Sequence, residues 1–143
     1  MSNKHLILII MLFFSFSSFA ESEDTLKFVT DTIMLYPDEI GQDVKTAIQN
    51  GDAKTLAKYF NSTIIITTPD KKGTYSKSQA EFIIKKFFST YPPISFTINS
   101  EGNTGSNSSY YIGTYVSKSK SFRSYYMIKK VNNKEVIHII KFE

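Results

Sequence analysis

His138 is the first candidate for chemistry, because it is the only histidine in the sequence after residue 20. Alternation along the last predicted strand places it on one face with three apolar residues, Val136, Ile140 and Phe142. An imidazole in that position could serve as a general base or as a pH-sensitive contact to a ligand. The apolar neighbours favour the alternative, which is a core histidine hydrogen-bonded to a tyrosine.

Arg123 is the only arginine in the chain, and it lies among the aromatic residues of the segment 122–126. A planar guanidinium suits recognition of a carboxylate or a phosphate, so Arg123 could contact an anionic ligand. The alternative, which we favour, is a cross-strand ion pair on the outer face of a sheet, with Glu135 or Glu143 as the partner. The candidate ligand-binding residues are His138, Tyr126, Arg123 and Phe96.

The composition argues against most catalytic and metal sites. The sequence contains no cysteine and a single histidine after residue 20, which excludes thiolate and histidine-rich metal sites. No Asp or Glu lies between Glu101 and Glu135, the stretch that supplies the central strands, so a carboxylate inside the domain is not expected. The sequence also lacks a nucleophile elbow and a phosphate-binding glycine loop. We therefore predict no catalytic residue, no metal and no cofactor.

Two neighbouring strands carry tyrosines that could form a surface for another protein. We predict that four residues share one outward face of the sheet: Tyr111, Tyr115, Tyr125 and Met127. An apolar patch that no helix covers usually marks an interface. This pattern predicts a homodimer or a contact with a different protein through the sheet. The other predicted partner is a small apolar or anionic ligand.

Helices are predicted at the start of the domain. An apolar stripe at helical spacing indicates a helix over residues 38–50, which Gly51 ends by accepting the left-handed conformation. Asp52 is predicted to cap a short second helix. A run rich in β-branched residues then predicts a strand over 61–68, followed by a turn at 69–73.

Ser76 opens the clearest helix in the chain, because Ser76 and Gln79 match a capping box. Its apolar face extends to Tyr91, and the two prolines that follow end it. Period-two alternation then predicts a four-stranded meander with strands over 94–99, 110–117, 122–131 and 135–142 and a polar turn at 101–109. Helices first and an antiparallel meander last are typical of an α+β fold.

Residues 1–20 are predicted to be a secretory signal peptide. Lys4 precedes an apolar run over 6–14, and Ser18-Phe19-Ala20 places small residues where a signal peptidase cuts, which predicts cleavage before Glu21. The run is shorter than the roughly 20 apolar residues that a transmembrane anchor needs, and without a cysteine no lipoprotein anchor can be attached. We expect a periplasmic or secreted protein with no membrane anchor after processing.

The remaining chain is predicted to comprise an N-terminal extension over 21–37 and a single domain over 38–143. The sequence has 17 basic and 13 acidic residues, a formal net charge of +4. The lysines are scattered rather than clustered on one face, so no nucleic-acid partner is expected.

Several short segments resemble a family of small exported proteins from Bacteroidetes-type bacteria: Ala47–Ala53, Tyr75–Glu81, Phe87–Phe96, Tyr111–Gly113 and Phe122–Arg123. The family is known as a domain of unknown function. The order of elements resembles the nuclear-transport-factor-2-like fold, also called cystatin-like, which implies a curved sheet around a long helix with a pocket at the mouth of the cone. The resemblance covers about residues 38–143. It departs at Asn99-Ser100-Glu101, where a histidine is expected before the glycine, so any role of that histidine is missing here.

Two functions are compatible with these patterns. The first is an exported noncatalytic binding or interaction module that holds a small ligand in the cone or a protein partner on the sheet. The alternative is an isomerase- or hydratase-type enzyme that uses His138 with tyrosines of the pocket. Because no interior carboxylate is predicted, the binding module is favoured.

Overall fold

The computed structural model describes residues 39–143. The predicted signal peptide and N-terminal extension lie outside the described residues. The elements are three helices, α1 (Glu39–Gln49), α2 (Ala53–Lys58) and α3 (Lys77–Thr90), and six strands, β1 (Phe60–Thr67), β2 (Lys72–Ser76), β3 (Pro93–Asn103), β4 (Ser108–Ser117), β5 (Ser121–Val131) and β6 (Lys134–Phe142). Within this part of the chain, no helix has the length and hydropathy that a bilayer-spanning segment requires.

The strands form one sheet in the order β2-β1-β6-β5-β4-β3. The four C-terminal strands pair antiparallel as a meander, as predicted, and β1 adds to it by pairing parallel with β6. β2 folds back on β1 and forms one edge, while β3 forms the other. Helices and a largely antiparallel sheet in these positions confirm the α+β prediction.

The junction between α1 and α2 is built from local signals. Gly51 has a φ of +63°, the left-handed conformation that glycine accepts most easily. Its amide donates to the Ile48 carbonyl at 3.1 Å, and the Asp52 amide donates to the Ala47 carbonyl at 2.9 Å, which together form a Schellman motif. The Asp52 carboxylate then accepts from the Thr55 amide at 2.9 Å and caps α2, as predicted.

α3 begins at the predicted capping box. The Gln79 amide donates to the Ser76 hydroxyl at 3.4 Å, and the Ser76 amide donates to the Gln79 side-chain oxygen at 3.1 Å. The buried face of α3 consists of Ala80, Ile84, Phe87 and Phe88. These residues lie against the sheet and form the centre of the hydrophobic core.

The strands β3 and β6 contain irregularities that the sequence pattern does not indicate, and two of them affect the candidate residues. On β3, Ile98 pairs with Gly113 and Ser100 pairs with Ile112, so Asn99 is an extra residue. On β6, Ile137 pairs with Ile128 and Ile139 pairs with Met127, so His138 is an extra residue. Such bulges bend a strand and reverse which face each following side chain occupies.

The bulge on β6 overturns one prediction. Val136, His138, Ile140 and Phe142 do not share a face, because the extra residue shifts the alternation between them. Ile137 joins Ile140 and Phe142 in the core cluster, whereas Val136 does not belong to that cluster.

Candidate functional site

The interior beneath α3 is occupied by aromatic side chains. Phe87 stacks on Phe142 with ring centroids 4.5 Å apart, and its ring lies 5.2 Å from that of Phe122 and 5.3 Å from that of Tyr115. The Tyr115 hydroxyl donates to the Tyr91 carbonyl, and burial raises the pKa of this phenol well above its usual range. This end of the domain is therefore a packed core, in which aromatic side chains fill the space that a ligand would occupy in an open cone.

The opposite end of the same face is open. A cleft of about 510 Å³ lies between α1 and β3, with one residue each from β4 and β5. Its lining residues are Gly41, Gln42, Lys45, Ile98, Asn99, Ser100, Glu101, Tyr111 and Tyr126. A cleft of this size falls within the range of roughly 300–1,000 Å³ that is typical of small-molecule sites.

The bulge at Asn99 brings an acid to this cleft. Beyond the bulge, Glu101 pairs with Tyr111, a residue of the inner face that is buried. Without the extra residue, the alternation set by Phe96 and Ile98 would place Glu101 on the outer face. Glu101 belongs to β3 rather than to the predicted turn at 101–109, and a carboxylate does line the cleft.

Two tyrosines form the floor of the cleft. Tyr111 and Tyr126 are cross-strand partners, and their rings stack in parallel at 4.6 Å with an interplanar angle of 12°. Only 6% of Tyr111 and 1% of Tyr126 are exposed. The floor is thus rigid, and each ring uses one of its faces to contact the other.

The walls of the cleft carry polar and charged groups. Lys45 comes from α1 and Glu101 from β3, so opposite charges line a single cleft. The Asn99 side-chain amide donates to the Thr114 hydroxyl at 3.0 Å. Thr114 pairs with Arg123 on the outer face of the sheet, so the Asn99 side chain is turned away from the cleft. Gln42 adds a further hydrogen-bonding group that is exposed to solvent, whereas Ser100 pairs with Ile112 and so places its side chain on the outer face.

Comparison with known families identifies the chain. Residues 41–143 match the model of the family described as Domain of unknown function (DUF4783). The chain belongs to the DUF4783 family. A search among curated proteins gives no match.

Solved structures agree with this assignment. A DUF4783 family protein from Bacteroides uniformis ATCC 8492 is 29% identical, with a TM-score of 0.67 over 71% of this chain and 94% of that one. An NTF2-like protein of unknown function from Shewanella baltica OS155 is 16% identical, with a TM-score of 0.54 over 73% of this chain and 87% of that one. A domain of unknown function with a cystatin-like fold from Nostoc punctiforme PCC 73102 is 10% identical, with a TM-score of 0.56 over 71% and 70% of the two chains. The predicted family and fold are confirmed.

The four predicted ligand-binding residues of this DUF4783 domain do not form one site. Tyr126 lines the cleft. Phe96 is buried in the core, and Arg123 is exposed on the outer face of β5. His138 lies at the bulge of β6 and does not line the cleft.

His138 occupies a distinct environment. Its Nδ1 atom is buried and has no hydrogen-bond partner among residues 39–143. Burial and the nearby charge of Lys129 lower the pKa of the imidazole, so the neutral form is favoured. Lys129 lies on the outer face of β5, the same face as Arg123, Tyr125 and Met127.

The prediction that Tyr111, Tyr115, Tyr125 and Met127 share one outward face is wrong. Tyr111 pairs with Tyr126 and Tyr115 pairs with Phe122, and all four of these side chains are buried. Cross-strand partners point to the same side of a sheet, so Tyr111 and Tyr115 face the interior.

Tyr125 and Met127 do lie on the outer face. They pair with Ile112 and Tyr110 of β4, and on the other side Met127 pairs with Ile139 of β6. Register explains the error, because odd-numbered residues of β4 are opposite even-numbered residues of β5.

The charged residues of the cleft that the sequence did not reveal are Lys45 and Glu101. The one available signal was the break in alternation after Ile98, where three polar residues follow one another. Asn99, Ser100 and Glu101 are also the positions at which the sequence departs from the expected family pattern. Among residues 39–143, no group of three His, Asp or Glu side chains is placed to hold a metal ion.

Proposed function

We propose that this DUF4783 domain is an exported binding domain that holds a small polar ligand in the cleft between α1 and β3. One observation carries the proposal: a single cleft combines a rigid tyrosine floor with Lys45 on one wall and Glu101 on the other. Ligand sites typically pair a preformed apolar surface with a few polar groups that fix orientation.

The same geometry favours binding over catalysis. The isomerase or hydratase alternative relies on His138 acting beside pocket tyrosines, but His138 does not line the cleft. A general base must lie within hydrogen-bond reach of the proton that it removes. Glu101 does line the cleft, and its solvent-exposed carboxylate suits recognition of a positive charge.

Native mass spectrometry of protein purified from the periplasm tests the proposal. The wild-type domain is expected to carry a small-molecule adduct. Gln42→Trp places a large ring at the cleft and is expected to remove the adduct. Thr46→Trp is the matched control, because Thr46 is exposed on the same helix and does not line the cleft.

The outcomes are separable. An adduct kept by the control and lost in Gln42→Trp supports the cleft as the binding site. Bare protein in every sample, or an adduct that survives Gln42→Trp, would contradict the proposal.

We also propose that binding takes place outside the cytoplasm. The support is the charged start, short apolar run and small residues of 1–20, a pattern typical of signal peptides. N-terminal sequencing of the purified protein is expected to begin at Glu21. A product that retains Met1 would contradict export with cleavage.

The outer face of the sheet supports a second candidate function, self-association. Tyr110, Ile112, Tyr125, Met127 and Ile139, the outer patch, are neighbours by cross-strand pairing, and each is half-buried. Burial raises the pKa of Tyr125, so its phenol is already partly removed from water. Tyrosine and methionine are enriched at interfaces, so we infer that a second copy binds here.

Light scattering at tens of micromolar tests the outer patch. Wild-type protein is expected to be a dimer, and Tyr125→Glu is expected to be a folded monomer because it places an unpaired charge in the contact. Ser119→Glu, in the exposed turn before β5, adds the same charge elsewhere and is expected to leave the dimer intact. Monomeric wild-type protein would refute self-association.

A further inference from the structure

The two charges of the cleft are uncompensated within the domain. Across residues 39–143, neither Lys45 nor Glu101 is engaged in an ion pair or a side-chain hydrogen bond. A ligand that occupies the cleft displaces water from both groups. A charged group that loses its water is stable only if the ligand supplies an opposite charge. A ligand of one sign would satisfy one of these residues and leave the other unpaired.

The cleft also contains an uncharged amide side chain, Gln42, that suits a ligand with an amide of its own. Gln42 offers both a donor and an acceptor, whereas the side chains of Asn99 and Ser100 lie toward the outer face, where Asn99 bonds to Thr114 and Ser100 pairs with Ile112. Peptide bonds present one donor and one acceptor each, so they can use groups of both kinds.

The floor argues against a sugar. Sugar recognition that relies on aromatic residues needs an open ring face, but Tyr111 and Tyr126 stack on each other and are almost completely buried. The two rings limit the depth of the cleft, but they offer no open ring face on which a sugar could stack.

Resting on the proposed function, we propose that the cleft binds short free peptides in their zwitterionic form. The terminal ammonium lies at Glu101, the terminal carboxylate lies at Lys45, and the amide between them contacts Gln42. A charge-assisted contact at each end selects molecules that carry both termini.

Three dipeptide libraries test this inference by native mass spectrometry with the purified domain. The first is unmodified, the second is N-acetylated and so lacks the ammonium, and the third is C-amidated and so lacks the carboxylate. The wild-type domain is expected to retain unmodified dipeptides, and to bind each capped library about tenfold more weakly or worse.

Variants of the charged residues assign each end. In Glu101→Gln, the unmodified and N-acetylated libraries are expected to bind equally, while the cost of C-amidation persists. In Lys45→Gln, the pattern is reversed. Glu135→Gln and Lys118→Gln remove charges away from the cleft and are expected to behave as wild type.

The results distinguish this inference from the function on which it rests. Capped libraries that bind as well as unmodified ones, or no dipeptide binding at all, would overturn the peptide inference. If an adduct from the periplasm is then still lost in Gln42→Trp, the cleft remains a binding site for another polar ligand. If no adduct depends on the cleft, both are refuted.

Discussion

The two ends of the inner sheet face differ in what fills them. Under α3, the side chains Phe87 and Phe88 meet aromatic residues of β4, β5 and β6 and leave a packed core. Under the first turns of α1, Gly41 and Lys45 face β3 and leave a cleft. The same sheet therefore supports a stabilising end and a binding end, and the side chains of the covering helix decide which one forms.

Removing the central ring of the packed end should have the largest effect on this comparison. Phe87→Ala deletes a buried ring that contacts several others, and it is expected to lower the free energy of unfolding by about 3–5 kcal/mol. Chemical denaturation measures the loss. Phe82→Ala on the same helix is the matched control, because Phe82 is 71% exposed, and it is expected to change stability little.

A midpoint for Phe87→Ala within error of wild type would break the comparison. It would mean that the aromatic cluster does not carry the stability of that end.

Gly113 lies on β4 between Tyr111 of the cleft floor and Tyr115 of the core. A Cβ atom there would lie 2.4 Å from the Thr97 carbonyl oxygen, a backbone atom of β3 that cannot move without shifting the strand. Gly113→Ala is expected to cost about 1–3 kcal/mol of stability, measured by thermal unfolding.

Gly102→Ala is the control for that prediction. Its Cβ would meet the Tyr110 side chain at 2.8 Å, but a side chain can rotate away at lower cost. Equal losses in the two variants would show that Gly113 does not set the spacing between β3 and β4.

Glu101→Gln should have the smallest effect on stability and so sharpens the contrast. Glu101 is exposed and lies in the cleft, so the free energy of unfolding is expected to stay within about 0.5 kcal/mol of wild type. Denaturant titration of the variant used in the binding experiments provides the measurement. A loss of several kcal/mol would mean that the cleft is part of the structural core.

Local signals in the sequence predicted much of the fold. The capping box at Ser76, the cap at Asp52 and the turn around Gly51 depend on residues close in sequence, and all three occur where the sequence places them. The apolar face of α3 follows from the helical period in the same way.

The candidate site could not be predicted from the sequence because it depends on pairing between distant strands. The bulge at Asn99 decides that Glu101 faces inward, and a bulge is visible only once β3 and β4 are aligned. The outward position of Tyr125, opposite to that of Tyr111, likewise depends on the register between β4 and β5. A shift of one residue reverses every face assignment along a strand.

The end of α1 has a further consequence for how copies of the chain meet one another. β3 is an edge strand of 11 residues, and an open edge is a template on which another chain can polymerise. The Gln49 side-chain amide donates to the Phe96 carbonyl at 3.0 Å, so a glutamine of the helix occupies a main-chain acceptor of that edge. Pro93, at the start of the strand, has no amide hydrogen to offer an incoming strand. Helix and proline together protect this border against the strand-by-strand growth that leads to aggregates.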